Sequence, residues 1–130
     1  MQDIQTKSDI EVLVNAFYEK ALTDESIGHF FTKVVQLSFE EHLPTIYSFW
    51  DSVLFGTMTY RGNPMLKHIA LHQKQALDKV HFDRWLQLFF ETVDEHFQGE
   101  KADEAKQKAT NMANLMLFKI GQSGSQYFIQ

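Results

Sequence analysis

The chain has 130 residues, of which 44% are apolar and none is cysteine, and its 12 Lys and Arg against 17 Asp and Glu give a net charge of −5. The length and apolar content predict one folded domain over residues 1–130, while the missing cysteine excludes disulfide scaffolds, thiol enzymes, zinc fingers, iron–sulfur clusters and thioether-attached haem. The acidic balance argues against a nucleic-acid partner, and without a membrane-length apolar run or a signal-peptide core we expect a cytoplasmic protein that does not bind membranes.

The first two long helices are predicted from Ser-x-x-Glu capping boxes at residues 8–11 and 38–41, each followed by apolar residues at helical spacing. The second helix is expected to end near residue 54, before Gly56, with a bend at Pro44. Residues 1–7 are expected to be loose. The apolar face of the first helix consists of Ile10, Leu13, Val14, Phe17, Tyr18 and Ala21. That of the second consists of Phe39, His42, Leu43, Ile46, Phe49, Trp50 and Val53.

Three further helices are predicted after a loop over residues 57–63. An Asn-Pro pair at residues 63–64 predicts the start of a short helix that carries Met65, His68, Ile69 and His72. The third long helix follows residue 78, and its apolar face consists of Phe82, Trp85, Leu86, Phe89, Phe90, Val93 and Phe97. The last helix is expected over about residues 103–120, with Met116 on its apolar face and a loose tail at 122–130. No strand-like alternation is present, so the predicted fold class is all-α.

Histidines and inward-facing polar side chains are the candidates for chemistry, because the chain has no phosphate-binding glycine loop, nucleophile elbow or His-Glu-x-x-His motif. His68 and His72 lie one turn apart, which suits a metal pair, a single axial ligand to a porphyrin metal, or two ordinary half-buried residues. His42 lies on an apolar stripe, either as a boundary histidine bonded to backbone or water or as part of a site. Tyr18 and Trp85 also interrupt apolar faces, either because the hydroxyl and the indole edge reach the surface or because, together with His42, they form a small polar site inside an aromatic shell.

The remaining histidines, His29, His81 and His96, lie near polar residues or helix ends and are expected to be exposed. The nearest approach to the Glu-x-x-His pattern of di-iron bundles is an Asp-x-x-His at residues 78–81, at a helix start. A di-iron centre is therefore a weak alternative.

Six segments carry a resemblance to a known family through their order and spacing. They are AFYEK (16–20), IGHFF (27–31), EHLP (41–44), FW (49–50), YRGNPM (60–65) followed by His68, and HFDRWL (81–86). Over about residues 8–120 the chain resembles the truncated, two-over-two haemoglobins, and among them the group III branch. This resemblance implies a globin-like, shortened two-over-two helical sandwich around a non-covalently bound haem b.

The resemblance also implies roles for individual side chains. His68 takes the position of the proximal histidine, which is the protein ligand of the iron. Tyr18, His42 and Trp85 take the distal positions that surround a bound gas, whereas His72 matches no defined role. The other implied haem-contacting residues are Phe31, Ile46, Phe49, Trp50, Met65, Phe89 and Met116.

The implied function is the binding of O2 and other diatomic ligands, such as NO and CO, at a ferrous iron. Several hydrogen-bond donors around the ligand favour slow release, which suits NO dioxygenase or peroxidase-like chemistry more than delivery. Either reaction needs an external electron donor, because the chain has no flavin or nicotinamide motif. Two alternatives stay open: a haem-free helical interaction module, in which the aromatic stripes are only core, and a haem-based gas sensor without turnover.

Overall fold

A computed structural model describes the backbone of residues 1–29, 39–58, 60 and 78–129, and within these ranges the side chains of all but residues 39–42 and 120–129. The described chain forms four α-helices and no strand, namely α1 (Lys7–Thr23), α2 (Phe39–Phe55), α3 (Lys79–His96) and α4 (Glu100–Ile129). The predicted all-α class is confirmed. Phe31 and the predicted short helix with Met65, His68 and His72 lie outside the described residues.

The four helices enclose one core, because α1 packs against α2 and α3, α3 packs against α4, and α2 also contacts α4. The predicted stripe of α1 is confirmed at its five buried residues, Ile10, Leu13, Val14, Phe17 and Ala21. On α4 the buried face is formed at four-residue spacing by small side chains, Ala105, Ala109 and Ala113. In the described part of the chain, no helix combines the length and hydropathy of a membrane span.

The start of α1 differs from the prediction. Thr6, not Ser8, caps the helix, since its Oγ1 accepts a hydrogen bond from the Asp9 backbone N–H at 3.2 Å. The Asp9 carboxylate in return accepts hydrogen bonds from the backbone N–H groups of Thr6 (3.1 Å) and Gln5 (2.8 Å). An ionised carboxylate in the first turn also interacts favourably with the helix dipole, so this box forms in preference to the one over residues 8–11.

The end of α2 and the start of α3 follow the sequence signals closely. α2 contains Pro44, ends at Phe55 and is followed by Gly56 in the left-handed conformation, with φ 68°. At the start of α3 the Asp78 backbone N–H donates to Nδ1 of His81 at 3.0 Å. The Asp-x-x-His pattern at residues 78–81 is thus part of a helix cap.

The N-terminal segment is held against the domain, contrary to the expectation that residues 1–7 are loose. Ile4 is 1% exposed within the core. The Asp3 carboxylate accepts hydrogen bonds at 2.8 Å from the backbone N–H groups of Lys101 and Ala102 and from that of Ile4, so it caps α4 from outside the helix. Gly99 leaves room for this carboxylate, since a Cβ there would lie 2.5 Å from Cγ of Asp3.

This external cap explains why α4 begins at Glu100, ahead of the predicted start at residue 103. The helix also continues to Ile129, beyond the end predicted at Gly121 and into the segment expected to be loose. A glycine lowers helix propensity by about 1 kcal/mol, but it ends a helix only where it adopts a left-handed conformation. The glycine pattern alone therefore placed this helix end too early.

Substituting Asp3 by alanine is expected to lower the unfolding free energy by about 1–2 kcal/mol at pH 7, the size of a lost N-cap. Burial raises the pKa of Asp3. The hydrogen bonds from Lys101, Ala102 and Ile4 and the charge of Lys101 together lower it by more than burial raises it, so the pKa lies below its usual value. The contribution of Asp3 is then present above the unfolded pKa of about 3.9 and is lost as the pH falls through the lower folded pKa.

Urea denaturation at pH 7 and at about pH 3 measures this difference, which should shrink at the lower pH. Glu25→Ala removes an exposed carboxylate and should change stability by less than about 0.5 kcal/mol. An Asp3→Ala chain as stable as the wild type at pH 7 would contradict the capping role.

Candidate functional site

A cluster of aromatic rings from three helices lies at the centre of the described structure. Phe89 of α3 is 1% exposed and stacks on Trp85, one turn earlier in the same helix, with centroids 5.6 Å apart and planes 9° apart. It also stacks on Trp50 of α2 at 5.0 Å and 16°. Phe17 of α1 meets Trp85 and Phe89 edge-on at 5.7 and 5.6 Å. These contacts fix the orientation of the rings relative to one another.

Two polar groups border this cluster at the same Phe17 ring. Tyr18 meets Phe17 edge-on at 5.0 Å, and Trp85 meets it at 5.7 Å. Burial raises the pKa of Tyr18 to about 12, so its hydroxyl keeps its proton at neutral pH. The Trp85 indole N–H is a donor only and does not titrate in this range. Two of the three predicted distal residues, Tyr18 and Trp85, thus contact one Phe17 ring.

An ion pair joins the end of α1 to α3. Arg84, next to Trp85 in α3, donates from Nε and Nη2 to Oδ1 of Asp24 at 2.8 and 2.7 Å. The Asp24 side chain is 6% exposed, and its Oδ2 also accepts the backbone N–H groups of Ser26 and Ile27. Burial raises the pKa of Asp24. The hydrogen bonds from Arg84 and these two amides together lower it by more than burial raises it, so the pKa lies below its usual value. Asp24 therefore stays ionised and holds the end of α1 against α3.

The predicted haem-contacting residues divide into two groups in the structure. Trp50, Phe89 and Met116 are buried within the core. Ile46 and Phe49 are half-buried and pack against the same core from α2. The Phe31, Met65 and His68 predictions and the His42 side chain lie outside the described residues, so their roles stay predictions.

Several apolar side chains around the cluster keep solvent-exposed surface although they pack against the core. They are Leu43, Ile46, Phe49 and Val53 of α2, Trp85 and Leu86 of α3, and Met112 and Leu117 of α4. A flat apolar group that covers them would remove this surface from water, at about 25 cal/mol per Å². Haem is such a group, and the Tyr18 and Trp85 donors suit a polar ligand on it, so the residues present fit a haem.

One aromatic residue of this region, Tyr60, was assigned no individual role from the sequence. After α2 the chain passes through Gly56 (φ 68°) and Met58 (φ 59°), both in the left-handed region. This turn returns Tyr60 to the helix, where its backbone N–H donates to Oγ of Ser52 at 2.9 Å and its ring meets Phe49 at 5.2 Å. Gly56 signalled the end of the helix, but no local pattern signalled the return of Tyr60.

The outlying histidines only partly match their expected exposure. His96 is exposed, with Nδ1 2.9 Å from the Thr92 carbonyl oxygen. His29 and His81 are half-buried, and the His81 ring accepts the capping hydrogen bond from the Asp78 backbone N–H. Among the described side chains, no three His, Asp or Glu residues come together as a metal site. This part of the chain therefore offers no metal centre built from side chains alone.

Comparisons with known proteins agree with this geometry. A family model described as bacterial-like globin matches residues 2–118. The chain is 31% identical over 121 residues to the group 3 truncated hemoglobin of Campylobacter jejuni, covering 88% of this chain and 93% of that protein. Its structure matches the crystal structure of the group III truncated hemoglobin from Campylobacter jejuni with a TM-score of 0.81 and 27% identity, over 92% of this chain and 95% of the other.

These matches confirm the predicted globin-like fold and the resemblance on which it was based. A globin fold implies haem binding and, through the haem, the binding of a diatomic gas such as O2. The chain belongs to the bacterial-like globins, in the group III truncated haemoglobin branch.

Proposed function

We propose that the chain binds haem b through His68 and holds O2 beside Tyr18, His42 and Trp85. The observation that carries this proposal is the pair of donors, Tyr18 and Trp85, on one Phe17 ring at the edge of an aromatic cluster. Without cysteine the chain cannot form thioether bonds to a haem, so the cofactor is held by His68 and by apolar contact.

A bound haem would supply the iron at which the gas binds, and the two donors would hydrogen-bond to that gas. The Tyr18 hydroxyl, with a pKa of about 12, and the Trp85 indole both donate throughout the physiological pH range. Each hydrogen bond contributes about 0.5–1.5 kcal/mol net, and more where the acceptor carries charge. Two such bonds slow the release of O2. This favours NO dioxygenation or peroxide reduction over O2 delivery, with an external electron donor.

The apolar residues of the site exclude water from these hydrogen bonds. Ile46 and Phe49 form the half-buried surface, and Trp50, Phe89 and Met116 form the close-packed layer behind it. A rigid layer of this kind fixes the donor positions before the ligand arrives. In the proposal, Phe31, Met65 and His42 complete the pocket.

Replacing His68 by alanine tests the proposal, because it removes the single protein ligand of the iron. Haem titration of the purified wild-type chain should give a sharp Soret band, and NO and CO should shift the band of the reduced protein. We expect His68→Ala to bind haem at least about tenfold more weakly, which corresponds to about 1.4 kcal/mol, with an altered spectrum.

His72→Ala is the matched control, since it removes an imidazole one predicted helical turn away. Its spectrum and haem affinity should equal those of the wild type. A wild-type chain without a Soret band, and with the same thermal stability whether haem is present or not, would instead support the haem-free helical interaction module. A Soret band unaffected by His68→Ala would remove His68 from the site.

A further inference from the structure

A continuous line of aromatic rings leads from Trp85 in the proposed pocket to Tyr60 outside the helices. Trp85 stacks on Phe89 at 5.6 Å, and Phe89 stacks on Trp50 at 5.0 Å. Trp50 then meets Phe49 edge-on at 5.3 Å, and Phe49 meets Tyr60 edge-on at 5.2 Å. Every ring is in contact with the next, so the line has no gap along its length.

The order of residue types along this line is chemically regular. Indole and phenol side chains give up one electron far more readily than a phenylalanine ring does. The oxidisable rings of Trp85, Trp50 and Tyr60 alternate with Phe89 and Phe49, each of which contacts both of its neighbours. The phenylalanines therefore bridge short steps between three groups that can each hold an electron vacancy.

We propose that these rings form a relay that carries single electrons from Tyr60 to an oxidising equivalent generated beside Trp85. The relay deepens the proposed function, on which it rests, because a bound haem would supply the site at which the oxidant, hydrogen peroxide, is reduced. Reduction of one peroxide to two waters takes two electrons and two protons. Each electron leaves Trp85, is replaced from Trp50, and is replaced there in turn from Tyr60.

At the outer end of the line, Tyr60 is oxidised and then reduced again by an external donor. When it loses an electron, its phenolic proton passes to water, which leaves a neutral tyrosyl radical. A reductant of the phenol class then donates a hydrogen atom to Tyr60 and becomes a phenoxyl radical. Two such cycles reduce one peroxide and oxidise two phenols. The relay thus assigns small phenolic compounds as the class of external electron donor.

The surroundings of the two tyrosines in this region distinguish their roles. Tyr18 meets Phe17 edge-on, outside the line of rings, and burial raises its pKa to about 12. Tyr60 is half-buried and ends the line through its contact with Phe49, in the turn after α2. Burial raises the pKa of Tyr60 as well, so its proton leaves together with the electron and not before it. Tyr18 therefore remains a hydrogen-bond donor while Tyr60 supplies electrons.

Freeze-quench electron paramagnetic resonance of the ferric, haem-loaded chain after addition of hydrogen peroxide tests the relay, with spin-trap adducts mapped by mass spectrometry. We expect a tyrosyl radical with its adduct on Tyr60. Tyr60→Phe keeps the ring that contacts Phe49 and should lower the tyrosyl signal at least fivefold. Trp50→Phe interrupts the line and should lower the Tyr60 adduct similarly. Circular dichroism checks that both variants are folded.

Tyr47→Phe is the matched control, because Tyr47 lies on the same helix as Trp50 but hydrogen-bonds to Asn15, away from the ring line. Its radical yield should equal that of the wild type. A Soret band and peroxide consumption without a Tyr60 adduct would overturn the relay and leave the proposed function standing. An unchanged tyrosyl signal in Tyr60→Phe would do the same. A wild-type chain without a Soret band would overturn both.

Discussion

Replacing Phe89 by alanine is expected to lower the free energy of unfolding by about 3–5 kcal/mol. Phe89 is 1% exposed, and its ring contacts Phe17, Trp50 and Trp85 on three different helices. The cavity left by the substitution would be bounded by stiff aromatic rings, which cannot collapse into it as flexible aliphatic side chains can. The loss should therefore lie at the upper end of the range for a buried phenylalanine.

Urea denaturation of the haem-free chain measures this loss without the stabilisation that a bound ligand adds. Phe118→Ala is the matched control, because the Phe118 side chain is 59% exposed on α4 and its removal should cost less than about 0.5 kcal/mol. Phe89→Leu keeps most of the volume and should fall between the two. A Phe89→Ala chain that loses less than about 1 kcal/mol would show that the ring cluster is not the centre of the core.

The faces of the helices were predictable from the sequence, because helical geometry places residues three and four apart on the same side. This is why Leu13, Val14 and Phe17 are buried as their spacing indicates. Helix ends were less predictable. Thr6 and Ser8 both offer an N-cap hydroxyl, and only the observed contact of Asp9 shows which of them is used.

Contacts between distant parts of the chain could not be predicted from local patterns. Asp3 caps a helix that begins at Glu100, and Asp24 pairs with Arg84 across 60 positions of sequence. Both interactions depend on where the folded chain brings its elements together, not on the spacing of neighbouring residues. The return of Tyr60 to Phe49 is of the same kind.

The candidate site, like the fold, could be predicted from the sequence only in part. Tyr18 and Trp85 were selected because each interrupts an apolar stripe with a polar group, and the structure brings both to one ring. Nothing in the spacing indicated that Phe17 joins them. The assignments of His68 and His42 depend on the resemblance, because single-sequence patterns do not distinguish an axial ligand from an ordinary half-buried histidine.

Removing either distal donor is expected to speed O2 dissociation from the haem-loaded chain by about tenfold, since one hydrogen bond to a partly charged acceptor contributes about 1.5 kcal/mol. Tyr18→Phe deletes only the hydroxyl. Trp85→Phe deletes the indole N–H and also changes the stack on Phe89. Because both residues contact Phe17, the double variant should gain less than the product of the two single effects.

Stopped-flow displacement of O2 by CO measures these rates, with Tyr47→Phe as a control that removes the same hydroxyl outside the proposed pocket. The pKa of Tyr18, at about 12, adds a second expectation. Because this pKa lies well above the unperturbed value of about 10, the Tyr18 hydroxyl stays neutral between pH 8 and pH 10. The O2 dissociation rate of the wild type should therefore not change over this pH range. Unchanged rates in both single variants would remove Tyr18 and Trp85 from ligand stabilisation. A rate that rises towards pH 10 in the wild type but not in Tyr18→Phe would instead show that Tyr18 titrates in this range and contradict its raised pKa.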